Sequence, residues 1–304
     1  MNVVDLFAGA GGFSEGALAA GCTVLWAANH WKAAVACHSA NHPTTQHECQ
    51  DLHQANWLDV PAHDMLLASP ACQGHSPARG KERPHHDATR STAWAVVSAA
   101  EAHRPPVVIV ENVPAFADWV LYPAWCEAMR RLGYQIAPHT LDAADSGVPQ
   151  HRVRMFLVCT RSRAPLMLWL SPRQHRAYAD IIDTQADNWS PIAKDGRSAA
   201  TLARVAAGRK RYGHRFVMPY YGSGSGETGR SLARPLGTVT TRDRWALVEG
   251  DNMRMLTVNE YRAAMSFRPD YVLPASGKLA KHLLGNAVCP AQAEHLISAV
   301  RAAA

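Results

Sequence analysis

The sequence predicts an α/β fold built on a doubly wound sheet. Across residues 1–160, short apolar runs alternate with segments of helical periodicity. This alternation is typical of βαβ units, which assemble into a mostly parallel sheet with helices on both faces. A glycine-rich turn follows the first apolar run directly, as expected where a strand leads into a helix beside a ligand.

The individual elements follow from the same pattern. We predict strands at 3–7, 23–28, 65–68, 107–110 and 155–159, and helices at 13–20, 32–40, 91–103 and 123–132. The short apolar runs fit buried parallel strands. The rhythm breaks near residue 161 and helical periodicity returns at 258–266 and 291–303. The prediction is an α/β body at 1–160, a separate lobe at 161–250, and a segment at 251–304 that packs back on the body.

Composition limits the classes of protein that fit. Apolar residues make up 47% of the 304 residues and charged residues 18%, which is enough to bury a core and excludes general disorder. No apolar run approaches the roughly 20 residues that span a bilayer, and the first residues lack a basic signal region. Seven scattered cysteines without a C-x-x-C pair indicate a reduced, cytoplasmic protein with no disulfide framework. We expect no metal site among the histidines.

Charge is distributed unevenly along the chain. Residues 161–250 contain 15 basic and 7 acidic residues, whereas the rest contains 16 basic and 18 acidic residues. A basic lobe on a neutral body fits a polyanionic partner such as nucleic acid, because contacts between cations and phosphates release counterions. Charge alone fits a solubilising surface equally well.

Two segments follow predicted strands at their carboxyl ends, where open α/β sheets bind ligands. The turn at 5–13 lets backbone approach a ligand closely, although such turns also serve packing, and it lacks the Gly-Lys-Ser/Thr of a phosphate-binding loop. Cys72, within 69–76, is a candidate nucleophile or a buried small hydrophobe. The long polar stretch at 74–90 beside it is typical of a lid.

Charged residues mark two further strands. Glu111 ends an apolar run that predicts a central strand, where burial would raise a carboxyl pKa and suit proton donation near neutrality. A helix cap or an ion pair would be the favoured explanation if Glu111 were the only clue. Arg152 and Arg154 alternate before the run at 155–159, so we expect both on one face of a strand, at a site or in surface ion pairs.

Taken in order, these segments resemble the DNA cytosine-5 methyltransferases. Residues 5–13 resemble the cofactor motif of that family, Cys72-Gln73 its Pro-Cys-Gln motif, 111–113 its Glu-Asn-Val motif and 150–154 its Gln-x-Arg-x-Arg motif. Residues 254–257 with Glu260 and 267–270 resemble the segment that supports the recognition domain, and 285–288 reads Gly-Asn-Ala-Val as in the family. The resemblance covers about 1–160 and 250–304, and six motifs in the correct order make it specific.

The resemblance implies a Rossmann-like methyltransferase sheet with a small basic target-recognition lobe, S-adenosylmethionine as cofactor and double-stranded DNA as substrate. The implied catalytic residues are Cys72, Glu111, Arg152 and Arg154. The implied cofactor-binding residues are Phe7, Ala8, Gly9, Gly11, Gly12, Asn29, His30, Trp31, Asp51, Leu52, Pro70, Asn286 and Ala287. The expected substrate-binding residues are Gln73, Ser76 and Gln150, with Arg242 and Arg244 of the lobe as the first candidates for reading bases.

Two positions depart from the family pattern. The family has proline immediately before its nucleophile, whereas here Ala71 precedes Cys72 and Pro70 lies one place earlier. This departure predicts a differently shaped backbone beside the flipped base. The family also usually ends its second strand with an acidic residue for the cofactor ribose, where this chain has Asn29. An amide can still bond a hydroxyl, without the strength of a charged partner.

In the mechanism that the resemblance implies, the Cys72 thiolate attacks carbon 6 of a flipped-out cytosine, Glu111 protonates ring nitrogen 3 and Arg154 holds the carbonyl oxygen. No metal is required. We expect a monomer, and the sequence leaves open whether a cognate restriction enzyme is a partner. An RNA cytosine-5 methyltransferase would share nearly every motif, and the Ala71 change leaves a catalytically silent DNA-binding protein open. A nicotinamide oxidoreductase is excluded, because G-x-G-x-x-G and an acidic residue after the second strand are absent.

Overall fold

In the computed structural model, which describes residues 1–71, 90–220 and 229–303, the predicted apolar runs form strands of a seven-stranded sheet. The strands are β1 (Asn2–Leu6), β2 (Thr23–Asn29), β3 (Gln46–Cys49), β4 (Met65–Ala68), β5 (Val107–Asn112), β6 (Gln135–Asp142) and β7 (Val153–Thr160). Their order across the sheet is β3-β2-β1-β4-β5-β7-β6. Strands β1 to β5 run parallel to one another, and β7 runs antiparallel to both β5 and β6.

The central strands are buried on both faces, which explains their near-continuous apolar sequences. Alternate residues of each strand enter two different cores. One core contains Val4, Leu66 and Val108 and packs against α3 (Ala93–His103) and α4 (Tyr122–Arg131). The other contains Val3, Leu67 and Ile109 and packs against α1 (Gly12–Ala19) and α8 (Pro290–Ala303). Helix α2 (Lys32–Asn41) connects β2 to β3. The doubly wound α/β prediction is confirmed.

The prediction differs from the structure at three strands. The run at 155–159 was predicted to be parallel and is antiparallel, because burial on both faces determines the composition of a strand and not its direction. Strands β3 and β6 were not predicted. β3 has no buried residue, and β6 alternates only weakly between buried and exposed positions, so neither has the apolar run that marks the central strands.

The chain divides into two compact units. The first comprises Met1–Ala143, Val153–Pro172 and Ala287–Ala304, and the second comprises Ala144–Arg152 and Arg173–Asn286. The second unit contains a four-stranded antiparallel sheet in the order β8-β11-β10-β9. Its elements are β8 (Ser190–Pro191), α5 (Ala199–Tyr212), β9 (Arg215–Pro219), β10 (Trp245–Glu249), β11 (Asn252–Met255), α6 (Val258–Ala264) and α7 (Gly277–Asn286). Val205 of α5 packs on Phe216, Met218 and Val248 of this sheet.

These boundaries differ from the predicted ones at 160/161 and 250/251. Leu166, Leu168 and Leu170 pack on the first unit, so the separate lobe starts later than expected. Only the last part of 251–304 belongs to the first unit, through α8, whereas β11 pairs with β10 inside the second. Within the described ranges, no helix has both the length and the apolar character that crossing a membrane requires.

A buried ion pair organises the second unit. Both side chains of Arg254 and Glu260 are fully buried, and the two guanidinium NH groups donate to the Glu260 carboxylate at 2.7 Å each. The same carboxylate accepts from the Tyr178 hydroxyl at 2.9 Å and from the backbone N–H of Thr257 at 2.7 Å, the residue that caps α6. One carboxylate therefore joins β11, α6 and the segment before β8.

We expect Glu260→Gln to lower the free energy of unfolding by about 3–5 kcal/mol, because it leaves the Arg254 charge buried without its counterion. Urea unfolding followed by circular dichroism measures the loss. The matched control is Glu249→Gln, which breaks the exposed 3.3 Å pair with Arg215 in the same unit and should change stability by less than about 0.5 kcal/mol. Equal losses in the two variants would contradict the organising role of Glu260.

Candidate active site

The order of strands defines where a ligand site is expected in the first unit. From β1 the chain builds outward to β2 and β3 on one side, then returns to build β4 and β5 on the other side. A crevice therefore opens at the carboxyl ends of β1 and β4, which is where doubly wound sheets bind ligands. The predicted glycine turn follows β1, and Pro70 and Ala71 follow β4 at this crevice.

The turn after β1 has the backbone conformation of a close-approach loop. Phe7, Gly9 and Gly11 all have positive φ, at 59°, 57° and 86°. Gly11 then begins α1, whose first turn includes Gly12. A non-glycine residue at positive φ is strained, and such strain concentrates at functional sites. Ala8 bonds through its N–H to Ala28 O at 3.0 Å, which ties the turn to the end of β2.

The residues after β2 are only partly available to a ligand. The Asn29 side-chain oxygen accepts from the Trp31 N–H at 3.0 Å, so this amide stabilises its own turn. His30 is exposed, and Trp31 is half-buried immediately before α2.

Asp51 presents a carboxylate after β3. Its side chain is 57% exposed, while Leu52 beside it is buried. One oxygen accepts from both the backbone N–H and the Nδ1 of His53 at 3.0 Å. These bonds lower the pKa of the Asp51 carboxyl, the backbone bond most. The second ring nitrogen of His53, Nε2, lies 3.3 Å from Ser91 Oγ.

Glu111 and Arg154 form a mostly buried ion pair at the end of β5. Arg154 Nε lies 3.1 Å from Glu111 Oε1, and the two side chains are 15% and 9% exposed. The register explains the contact: Glu111 pairs with Phe156, and Arg154 lies two residues away on the same face of β7. The adjacent Asn112 donates through Nδ2 to Pro70 O at 3.2 Å, which links β5 to the residues after β4.

Arg152 and Gln150 both make hydrogen bonds inside the second unit. β7 begins at Val153, so strand alternation does not relate Arg152 to Arg154. Arg152 is 2% exposed and donates to Val239 O at 2.9 Å and Gly285 O at 3.0 Å. The Gln150 amide donates to Ala264 O at 2.7 Å and accepts from the Val239 N–H at 2.9 Å.

Three predicted residues, Cys72, Gln73 and Ser76, lie outside the described residues. The flanking backbone is described: the Ala71 N–H donates to Thr92 Oγ at 3.1 Å. Asn286 ends α7 in the second unit and is exposed, whereas Ala287 is buried in the first unit. Within 1–71, 90–220 and 229–303, no group of three or more His, Cys, Asp and Glu side chains could hold a metal ion.

The basic residues of the second unit differ in how they are used. Arg242 is exposed and Arg244 is half-buried, with backbone bonds to the Thr240 hydroxyl and the Tyr261 hydroxyl. Arg209, in contrast, donates to Gly250 O at 2.6 Å and to Asp251 at 2.8 Å, which braces α5 against the turn after β10. Arg230 lies over the Trp245 ring at 5.9 Å.

A row of buried, hydrogen-bonded polar side chains next to the glycine turn was not predicted from the sequence. Ser14 donates to Asp5 Oδ2 at 2.7 Å, His38 Nε2 lies 3.0 Å from Ser14 Oγ, and His38 Nδ1 lies 2.7 Å from His47 Nε2. Asp5 Oδ1 has no hydrogen-bond partner among the described residues. Burial raises the pKa of the Asp5 carboxyl to about 7 and lowers the pKa of His38. A carboxylate inside the apolar β1 was the signal in the sequence.

The comparisons with known proteins agree with this architecture. The sequence profile of the C-5 cytosine-specific DNA methylase family matches residues 1–302. The chain belongs to this family.

Individual relatives show the extent of the similarity. The chain is 30% identical over 166 residues to the type II methyltransferase M.HhaI of Haemophilus parahaemolyticus, which covers 53% of this chain and 50% of that protein. It is 26% identical over 296 residues to M.NlaX of Neisseria lactamica, over 95% of this chain and 92% of that one. It spans about half the length of several other relatives, and 39% of M.AgeI of Thalassovita gelatinovora.

Solved structures show the same fold at low sequence identity. The Entamoeba histolytica methyltransferase EhMeth superposes with a TM-score of 0.70 at 16% identity, over 100% of this chain and 98% of that one. The S. pombe Dnmt2 methyltransferase superposes with a TM-score of 0.69 at 15% identity, over 98% and 97%. At these identities the likeness concerns the fold alone.

We expect the Asp5→Asn variant to gain stability relative to the wild type as the pH rises. Folding raises the Asp5 pKa from 3.8 to about 7, so the folded state holds a proton that the unfolded chain releases. The corresponding stability is complete below pH 4 and is lost as the pH rises through 7. Urea unfolding from pH 5 to 8 measures the difference between the two proteins.

The buried histidines titrate in both proteins and cancel from this difference to first order. The control is Asp118→Asn at an exposed position of the same unit, for which we expect one constant difference over the same range. An Asp5→Asn difference that does not change with pH would show that Asp5 is ionised throughout.

Proposed function

We propose that the protein transfers a methyl group from S-adenosylmethionine to carbon 5 of a flipped-out cytosine in duplex DNA. The observation that carries this proposal is the Glu111–Arg154 pair, which joins β5 to β7 at 3.1 Å, with β5 next to the strand that leads to Cys72. A carboxyl group and a guanidinium side by side suit the N3 and carbonyl edge of cytosine, which presents one proton acceptor beside another. Membership of the family supports the same reaction.

The chemistry requires activation of the ring before methyl transfer. The Cys72 thiolate forms a bond to carbon 6, Glu111 protonates nitrogen 3 and Arg154 holds the carbonyl oxygen, so carbon 5 becomes an enamine carbon. When bound, the cofactor supplies an electrophilic methyl group. The N3 proton returns to Glu111, a base with water as its relay removes the carbon 5 proton, and the bond between Cys72 and carbon 6 breaks to release the Cys72 thiolate. The stacked ring is unreachable in a duplex, so the base must leave the helix.

The residues of the first unit fit this cofactor. The turn at Phe7, Ala8, Gly9, Gly11 and Gly12 combines positive φ with the start of a helix whose N-cap residue, Gly11, makes no side-chain capping bond, and this conformation allows close approach of a ligand to the backbone. The exposed Asp51 carboxylate, whose second oxygen is turned away from His53, can accept from the adenine amino group, and Trp31 can stack on the base. Pro70, Leu52, Asn29, His30 and Ala287 complete the set proposed in the first unit, and Asn286, which belongs to the second unit, stays a prediction from the sequence.

We propose the second unit as the target-recognition lobe, with Arg242 and Arg244 reading bases in the major groove. The exposure of Arg242 supports this role, because Arg209 and Arg230 are engaged within the unit; Arg244 is half-buried and stays a proposal from the sequence. Gln73 and Ser76 remain proposed substrate contacts. Several relatives are named type II methyltransferases, which agrees with a cognate restriction enzyme as an open partner. A cytoplasmic location and a monomeric state remain part of the proposal.

The covalent step gives the decisive experiment. Duplex DNA that contains 5-fluorocytosine should form a stable adduct with the protein in the presence of S-adenosylmethionine, because fluorine cannot leave as a proton does. We expect Cys72→Ser to abolish the adduct, and Glu111→Gln to slow its formation about 10²–10⁴-fold. Denaturing electrophoresis and intact mass measure the adduct.

The matched control is Cys49→Ser at the exposed cysteine of the first unit, which should form the adduct normally. An adduct that survives in Cys72→Ser would exclude the assigned nucleophile. Adduct formation on RNA but not on DNA would favour an RNA cytosine-5 methyltransferase, and binding without an adduct would favour a catalytically silent DNA-binding protein.

Base reading and bracing in the lobe can be separated with a pair of variants. Arg242→Ala should relax or shift the methylated sequence, because it removes about 1–3 kcal/mol of discrimination between the correct and the wrong base. The melting temperature should stay unchanged. Arg209→Ala should lower the melting temperature and leave the sequence unchanged, because it removes bonds inside the unit. Bisulfite sequencing of methylated plasmid, beside thermal unfolding, measures both; loss of activity only in variants that melt early would contradict a reading role.

A further inference from the structure

The residue before the proposed nucleophile makes a hydrogen bond that proline cannot make. The Ala71 N–H donates to Thr92 Oγ at 3.1 Å, across 21 positions of the chain. Proline has no N–H and fixes its own φ through its ring, whereas alanine has a freer φ and a donor that needs a partner when it is removed from water. Both Ala71 and Thr92 are half-buried. Ala71 is thus restrained by a side chain at the position where the family pattern has a proline ring.

The Thr92 hydroxyl is placed for this contact and not for its own helix. Thr92 is the residue immediately before α3, where a threonine oxygen ordinarily accepts a backbone N–H from the first turn. Here Thr92 has helical angles, φ −56° and ψ −26°, and its side chain makes no such capping bond. The oxygen accepts from Ala71 instead.

The peptide between Pro70 and Ala71 is held at both of its ends. Asn112 Nδ2, at the end of β5, donates to Pro70 O at 3.2 Å. Thr92 Oγ accepts from the N–H of Ala71. Two elements that are far apart in sequence therefore fix the orientation of the backbone that leads into Cys72.

We propose that Thr92 is a positioning residue for the nucleophile, and that its hydroxyl replaces the restraint that a proline at position 71 would supply. The proposal rests on the proposed function, because it assumes that Cys72 attacks the base. Thr92 touches neither the base nor the cofactor in this proposal; it acts through the backbone of Ala71.

The first test removes the acceptor and keeps the shape. We expect Thr92→Val to slow adduct formation with 5-fluorocytosine DNA roughly three- to tenfold, which corresponds to one hydrogen bond. The cofactor dissociation constant, measured by calorimetry, should stay unchanged, and Thr92→Ser, which keeps the oxygen, should restore the rate. The matched control is Thr45→Val, which removes a 2.9 Å bond to Val24 O elsewhere in the same unit and should leave the adduct rate unchanged.

The second test asks whether a proline makes Thr92 dispensable. Ala71→Pro removes the donor and supplies the ring, so Thr92→Val should have no further effect on the adduct rate in the Ala71→Pro background. The four proteins form a double-mutant cycle whose coupling should equal the loss seen in Thr92→Val alone. If Ala71→Pro does not fold, the comparison of Thr92→Val with Thr92→Ser decides the question.

Each outcome bears on the proposal. An unchanged rate in Thr92→Val, or a loss that Thr92→Ser fails to restore, would overturn it, as would an equal loss in the Ala71→Pro background. A Thr92→Val loss matched by a weaker cofactor affinity would assign Thr92 to general stability instead. Failure of the proposed function is distinguishable from these, because the wild type itself would then form no adduct.

Discussion

The antiparallel pairing of β7 with β5 is the interaction on which the candidate site depends. Because β7 begins at the edge of the sheet where β5 ends, the first residues of β7 meet the last residues of β5. Arg154 therefore lies diagonal to Glu111 on one face, and burial of both side chains strengthens their attraction. A parallel β7 would carry its first residues to the opposite edge. The reversed strand is thus the reason that a basic residue faces the acidic end of β5.

Much of this arrangement could be predicted from the sequence, and the failures have physical reasons. The central strands were found because burial on both faces requires continuous apolar residues, and their polar last residues marked the carboxyl edge. The predicted direction of β7 was wrong, because burial of a strand on both faces determines its composition and not its direction. The edge strands β3 and β6 were missed because they lack apolar runs. The prediction that Arg152 and Arg154 share one face of a strand was wrong, because β7 begins at Val153, one residue after Arg152, and side chains alternate between faces only inside a strand. The network around Glu260 was not foreseen either, because two of its partners, Tyr178 and Asp183, lie more than 70 positions away in the sequence.

The guanidinium groups illustrate why charge content alone does not define a binding surface. The basic excess of residues 161–250 suggested a polyanion site, yet several of its arginines bind protein oxygens. Arg197 donates to Ser190 Oγ at 3.0 Å and Pro191 O at 2.9 Å, and Arg209 braces the turn after β10. An arginine whose donors are committed to backbone carbonyls is held in place by the fold and loses those bonds if it turns to a phosphate. The exposed arginines are therefore the informative ones.

The backbone before Cys72 shows how a covalent restraint and a hydrogen bond differ in what they depend on. A proline restrains its own φ in the folded and the unfolded chain alike, independently of any neighbour. The bond between Ala71 and Thr92 exists only when the start of α3 is in place. Ser91, the preceding residue, contacts His53, which in turn holds the Asp51 carboxylate. The orientation of the peptide between Pro70 and Ala71 and that of the Asp51 carboxylate thus rest on two adjacent residues, Thr92 and Ser91. In our proposal, a hydroxyl in place of a proline ring makes both parts of the proposed site depend on the same local structure, whereas a proline would leave them independent.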